Sequence, residues 1–70
     1  MTANVDARGL SCPEPVILAR KALGRGEFPV VVLVDSATSR DNVTRMARAG
    51  GHRVIVEDRG GEFVLTIERP

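Results

Sequence analysis

The chain has no tryptophan and no tyrosine; its only aromatic residues are Phe28 and Phe63. An aromatic platform for stacking single-stranded bases is therefore not expected. A single cysteine, Cys12, rules out an intramolecular disulfide. With His52 as the only histidine, zinc lacks a ligand set and no metal is expected. The sequence shows neither a long apolar run nor a signal-peptide pattern. No membrane association is expected, and a cytoplasmic location is, where thiols stay reduced. A net charge of +1 gives no strong pull toward nucleic acid or membrane.

What remains is ordinary globular composition, 43% hydrophobic and 27% charged. Seventy residues make one domain, 1–70, and such a chain buries only about 60% of its unfolded surface. Its core must be thin. The charges are unevenly spread. Arg20, Lys21, Arg25, Arg40, Arg45 and Arg48 fall in the middle, and Glu57, Asp58, Glu62 and Glu68 in the last third. The plain reading of this is a solvated mixed surface.

Periodicity divides the chain into six elements. The opening MTAN is expected to be loose. NVDAR alternates Val5 and Ala7 against Asp6 and Arg8, as a short strand does. From Pro13 to about Gly24, Val16, Ala19 and Leu23 with Ile17 and Ala22 fit a helical stripe. Gly24 and Gly26 stop it. The run PVVVLVD reads as a buried central strand. Thr38 with Asp41 three residues on resembles a capping box. It opens a second helix through Val43, Met46 and Ala47 that Gly50-Gly51 closes. HRVIVED and EFVLTIE around Arg59-Gly60-Gly61 read as a hairpin with Phe63, Leu65 and Ile67 turned inward. The order β-α-β-α-β-β and right-handed crossovers predict an α+β fold. It is a two-layer α/β sandwich, with both helices on one face of a four-stranded mixed sheet. The other face is left to side chains such as Ile55 and Val64.

Chemistry concentrates in GLSCPEPVILARKAL, Gly9 to Leu23. With Cys12 as N-cap, Pro13 and Pro15 occupy the first turn and bring no N–H. A capping side chain bonds the N–H of the second or third helical residue. Glu14 then carries the one donor expected to face the sulfur. Pro13 also biases Cys12 toward the extended backbone a cap needs. A helix N-terminus stabilises a thiolate, and would equally suit a persulfide anion, while the Glu14 carboxylate opposes this. The plain alternative is a small buried hydrophobe. The polar, turn-rich surroundings of Cys12 favour a displayed nucleophile.

Helices that follow parallel strands start at the carboxyl edge of the sheet, where ligand sites of α/β folds gather. The segment from Asp35 to Asp41 is thus expected beside Cys12. Arg40 is the candidate anion contact there, against a plain surface arginine. No base accompanies the thiol, because nothing places His52 near it. A nucleophile without a catalytic partner fits a carrier better than a self-sufficient enzyme.

The stretch VDARGLSCPEPVILARKAL resembles the signature of the TusA/SirA/YedF sulfur-carrier family. That signature is a short strand, D-x-x-G-L-x-C-P-x-P, and a helix with R-K. The likeness continues through VVVLVDSATSRDNVTRMARAGGHRV and the closing hairpin, and so covers nearly all the chain. It implies the same β-α-β-α-β-β sandwich. It implies that Cys12 takes sulfane sulfur as a persulfide from a cysteine desulfurase or rhodanese-like donor and passes it to an acceptor protein. The sulfur is held covalently, so no cofactor is implied. Pro13, Glu14 and Pro15 form the helix-cap motif, and Arg40, Asp41 and Asp35 are the expected partner or anion contacts. RDNVTRMARAGGHRV is closer to the YedF branch, associated with selenium or sulfur metabolism. The tRNA-thiolation branch typically has Arg-Asp-Ile and a Phe-Cys pair here. Arg40 and Asp41 match it; Asn42 and Met46-Ala47 depart. A monomer is expected. The competing function is a regulatory or nucleic-acid-binding module with an inert cysteine, and the scarce aromatics and low net charge weigh against it.

Overall fold

A computed structural model describes residues 3–70. Its elements run β1 (Ala3–Asp6), α1 (Glu14–Gly24), β2 (Val30–Val34), α2 (Ala37–Ala49), β3 (Val54–Asp58) and β4 (Phe63–Ile67). Of the opening MTAN, Met1 and Thr2 lie outside the described residues. Ala3 and Asn4 are not loose: they begin β1, with Ala3 buried and its N–H bonded to the Pro29 carbonyl at 3.2 Å.

The four strands lie in the order β1-β2-β4-β3. β1 is parallel to β2, and β4 is antiparallel to both β2 and β3. β2 is central because its side chains suit burial on a pleated surface. Val30, Val32 and Val34 are fully buried beneath the helices. Phe63, Leu65 and Ile67 of β4 alternate onto the same face as expected and are buried with them. The two strands are joined into one core by register, with Val30 opposite Ile67, Val32 opposite Leu65 and Val34 opposite Phe63.

The β3–β4 connection needs positive φ at two successive residues, which glycine adopts without penalty. Gly60 (φ 64°) and Gly61 (φ 96°) supply it, and the Arg59 N–H closes on the Glu62 carbonyl at 2.7 Å. Both helices cover one face, packed against each other. Small residues, Ala19 and Ala22 on α1 and Ala47 on α2, let them lie close to the sheet. The opposite face carries Val31, Leu33, Val64, Thr66 and Ile55 and is only half covered. Among the described residues, no helix is long and apolar enough to cross a membrane.

The start of α2 differs from the expected capping box at Thr38. Ser36 is the N-cap, with extended backbone (φ −143°, ψ 151°), and its Oγ accepts the Ser39 N–H at 3.1 Å. Ser36 leaves β2 still extended, as an N-cap must be. Thr38 is already helical and its Oγ is past that position.

Candidate functional site

The loop from Ala7 to Pro13 carries Cys12 across the carboxyl ends of β1 and β2, and Cys12 is exposed. Four backbone donors hold this loop, one of them the Arg8 N–H on Asp6 Oδ1 at 3.2 Å. The Ala7 N–H bonds the Leu33 carbonyl at 2.8 Å, continuing the β1–β2 ladder. The Gly9 N–H bonds Asp35 Oδ2 at 2.8 Å. The Glu14 N–H bonds the Ser11 carbonyl at 2.9 Å. Arg8 adds a side-chain tie. It grips the Asp6 carboxylate at 2.9 Å and reaches Glu62 Oε2, in the β3–β4 turn, at 3.3 Å. The hydrogen bond from Arg8 holds the Asp6 carboxyl at about 2, below its ordinary 3.8. The same contacts, Asp6 first and Glu62 second, push Arg8 up.

Cys12 is not the N-cap of α1. The cap is Pro13 (φ −100°, ψ 16°), which makes no side-chain capping bond, and the helix begins at Glu14 with Pro15 buried in its first turn. The Cys12–Pro13 peptide bond is cis. The expected contact between sulfur and the Glu14 N–H is absent because that N–H closes the Ser11–Glu14 turn. A carbonyl oxygen is a better acceptor than a thiol sulfur and takes the donor. The Pro13 carbonyl meanwhile starts the helix ladder, accepting from the Ile17 N–H at 3.1 Å.

The group that does reach the sulfur is Asn42. Its Nδ2 donates to Cys12 Sγ at 3.8 Å across thirty positions of sequence. The two helix starts therefore converge as expected, but through Asn42 and not Arg40. The reason is helical phase. At about 100° per residue, positions 40 and 42 lie about 200° apart around α2. With Ser39, Val43 and Ala47 turned to the sheet, Asn42 falls on the flank toward α1 and Arg40 on the opposite flank. There the Arg40 guanidinium lies 4.7 Å from the centre of the Phe63 ring, and its Nε donates to Asp41 Oδ1 at 2.9 Å. That hydrogen bond raises Arg40 and lowers Asp41. Both are committed to each other and neither contacts the thiol. Asp35, expected as a partner or anion contact, instead accepts the Gly9 N–H and so orients the cysteine loop. The phase set by Val43, Met46 and Ala47 was the sequence signal that could have singled out Asn42.

His52 sits at the other end of the molecule. Its ring stacks on Phe28 with centroids 5.4 Å apart, and Nδ1 lies 2.9 Å from the Glu68 carbonyl. Arg69 covers the Phe28 ring as well, at 5.3 Å. This is packing around the amino end of β2, remote from Cys12. The described residues assemble no group of three His, Cys, Asp or Glu side chains for a metal. The arrangement at Cys12 thus offers an accessible nucleophile, one neutral hydrogen-bond donor and a tethered loop.

Two comparisons bear on this arrangement. A family model described as sulfurtransferase TusA matches residues 3–69. The crystal structure of a SirA-like protein from Desulfitobacterium hafniense is similar to this chain at 38% identity. The match covers 97% of this chain and 96% of that one, with a TM-score of 0.86.

Proposed function

Because the chain belongs to the sulfurtransferase TusA family, we propose that Cys12 accepts a sulfane sulfur as a persulfide and relays it to an acceptor protein. The observation that carries this reading is the exposed Cys12 sulfur with Asn42 Nδ2 at 3.8 Å. The thiolate attacks the outer sulfur of a donor persulfide. A bond forms between Cys12 Sγ and that sulfur, the donor's S–S bond breaks, and the donor cysteine leaves as its thiolate. The exchange is redox-neutral and needs no external oxidant. Handing the sulfur on repeats the same displacement, with the acceptor's thiolate as attacker and Cys12 as leaving group.

The donor is a cysteine desulfurase or rhodanese-like protein, and the chain acts as a carrier; the one histidine, His52, is engaged with Phe28 and the Glu68 carbonyl and not with the thiol. A reducing cytoplasm suits this, because it keeps the emptied Cys12 thiol from being oxidised between transfers, while the displacement itself returns Cys12 to its thiolate. Asn42 stands where the tRNA-thiolation pattern has isoleucine. An amide can donate to a thiolate or to a persulfide anion, whereas an isoleucine side chain can donate to neither. The protein's open Cys12 loop, held by its own backbone bonds, can be presented to a partner without unfolding α1.

The test is intact-mass spectrometry after incubation with a cysteine desulfurase and free cysteine. A gain of roughly 32 Da, removed by a thiol reductant, is expected on the wild type and not on Cys12→Ser. Absence of the adduct with several unrelated persulfide donors would sink the reading. Binding of RNA or DNA that survives Cys12→Ser would favour the regulatory alternative instead.

A further inference from the structure

The two edges of the sheet are finished differently. On β1, the exposed positions are Asn4 and Asp6, and Asp6 is already paired with Arg8. Polar and charged residues of this kind blunt an edge strand. β3 also exposes Glu57 and Asp58, and Glu57 is paired with Arg59 at 2.9 Å, but unlike β1 it carries exposed apolar side chains on both of its faces. Among the described residues, the exposed large hydrophobics are Ile17, Ile55 and Val56, at 45%, 51% and 40%. The last two are neighbours on β3, pointing to opposite sides of the sheet.

The backbone of β3 is equally open. The Arg59 N–H bonds the Glu62 carbonyl, and the Glu68 N–H bonds the Arg53 carbonyl. Alternation along an antiparallel pair then turns Ile55 and Glu57 toward β4, and the N–H and C=O groups of Val54, Val56 and Asp58 outward.

We propose that the β3 edge pairs antiparallel with β3 of a second copy, joining two sheets into one of eight strands. A two-fold axis perpendicular to the sheet keeps both helix layers on the same face, as closed symmetry requires of a self-complementary edge. The register follows from side-chain chemistry. Centring on Val54 sets Arg53 against Ile55, and centring on Glu57 sets that carboxylate against itself. Centring on Val56 sets Ile55 against Glu57 and Arg53 against Arg59. Centring on Ile55 sets no like charges opposite each other, and offers Glu57 a second cation beside its own Arg59. Ile55 meets Ile55 on the open face, Val54 meets Val56 on the helix face, and Arg53 of each copy meets Glu57 of the other. The outward groups of Val54 and Val56 then exchange about four hydrogen bonds across the axis. Like charges directly opposite destabilise strand pairs and opposite charges support them. The complementarity of Arg53 with Glu57 therefore names a second copy of this chain as the occupant.

The strand has five residues, so the interface is small and the dimer dissociates readily. It leaves the sulfur site untouched, because the Cys12 loop follows β1 at the far edge of the sheet.

Sedimentation velocity of the full chain, over a concentration series up to about 1 mM, tests this. The sedimentation coefficient is expected to rise with concentration. Arg53→Glu and Glu57→Arg, both at exposed positions, should each abolish the rise, and the double exchange should restore it. In hydrogen exchange, the Val54 and Val56 amides should gain protection with concentration while the Ile55 amide, already paired to β4, does not. A wild type that stays monomeric throughout overturns the proposal. So does a dimer indifferent to both charge reversals.

Discussion

α2 starts on Ser36, whose Oγ takes the Ser39 N–H at 3.1 Å. α1 lies beside it and starts at the same edge of the sheet, yet begins on Pro13 with no side-chain bond at all. The first turn of α2 satisfies a donor, as most helices do. The first turn of α1 deletes donors: Pro13 and Pro15 have none, and the Glu14 N–H is spent on the Ser11 carbonyl. The contrast explains how the cysteine proposed to carry sulfur can sit at the start of α1. Cys12 has no capping duty, so converting its thiol to a persulfide, or back, changes no bond that holds the helix.

The contrast is broken most directly by comparing Ser36→Ala with Cys12→Ser. Loss of the Ser36 cap is expected to cost about 1 kcal/mol, which lowers Tm by roughly 4–8 °C for a domain of this size. Cys12→Ser should shift stability by less than about 0.5 kcal/mol, as an exposed substitution away from structural bonds does. Thermal unfolding of the two variants decides. A comparable loss in Cys12→Ser would show that the sulfur supports the first turn of α1 after all.

Arg40→Ala sharpens the assignment of the two flanks of α2. Removing the guanidinium from the Phe63 ring should lower the denaturant midpoint slightly. It should leave the rate of Cys12 alkylation by a small reagent unchanged. A slower alkylation would put Arg40 back beside the thiol.

Asn42→Ala should do the reverse. Its hydrogen bond to Sγ is long and exposed, so stability should hold. Cys12 alkylation near neutral pH should slow by about two- to fivefold, the scale of one modest hydrogen bond to a thiolate. An unaltered rate would reduce Asn42 to a bystander.

The smallest effect concerns the tie that steadies the Cys12 loop from behind. Arg8 holds the Asp6 carboxyl at about 2 in the folded chain, below the ordinary 3.8. A depressed carboxylate contributes stability that is present above the ordinary value and lost as pH falls through the folded one. Arg8→Ala should therefore be slightly less stable than the wild type near neutral pH. The gap should close as pH drops from about 4 to about 2, followed by denaturant midpoints. A gap that persists in acid would assign the Arg8 effect to packing.

Much of the fold was legible because its signals are local. The β-branched run of β2, the paired glycines of the β3–β4 turn and the inward alternation of Phe63, Leu65 and Ile67 each rest on near neighbours in sequence. The convergence of the two helix starts was legible for another reason, since it follows from parallel strands and right-handed crossovers. The α2 cap lies two residues before Thr38, because Thr38 and Ser36 are both good caps and only the end of β2 decides between them.

At the site, the sequence was enough to read one thiol in a proline-bounded turn, far along the chain from the single histidine. It also determined which family that turn belongs to, since the motif residues are contiguous. Only the tertiary structure decided what touches the sulfur. Asn42 rather than Arg40 meets Cys12 because α2 is rotated to bury Ser39, Val43 and Ala47 against the sheet. Asp35 is spent on the Gly9 N–H because β2 ends directly beneath the loop. Each of these contacts joins positions 26 or 30 residues apart. At that separation local periodicity gives the phase of each element but not its neighbour, and packing of the two layers supplies the rest.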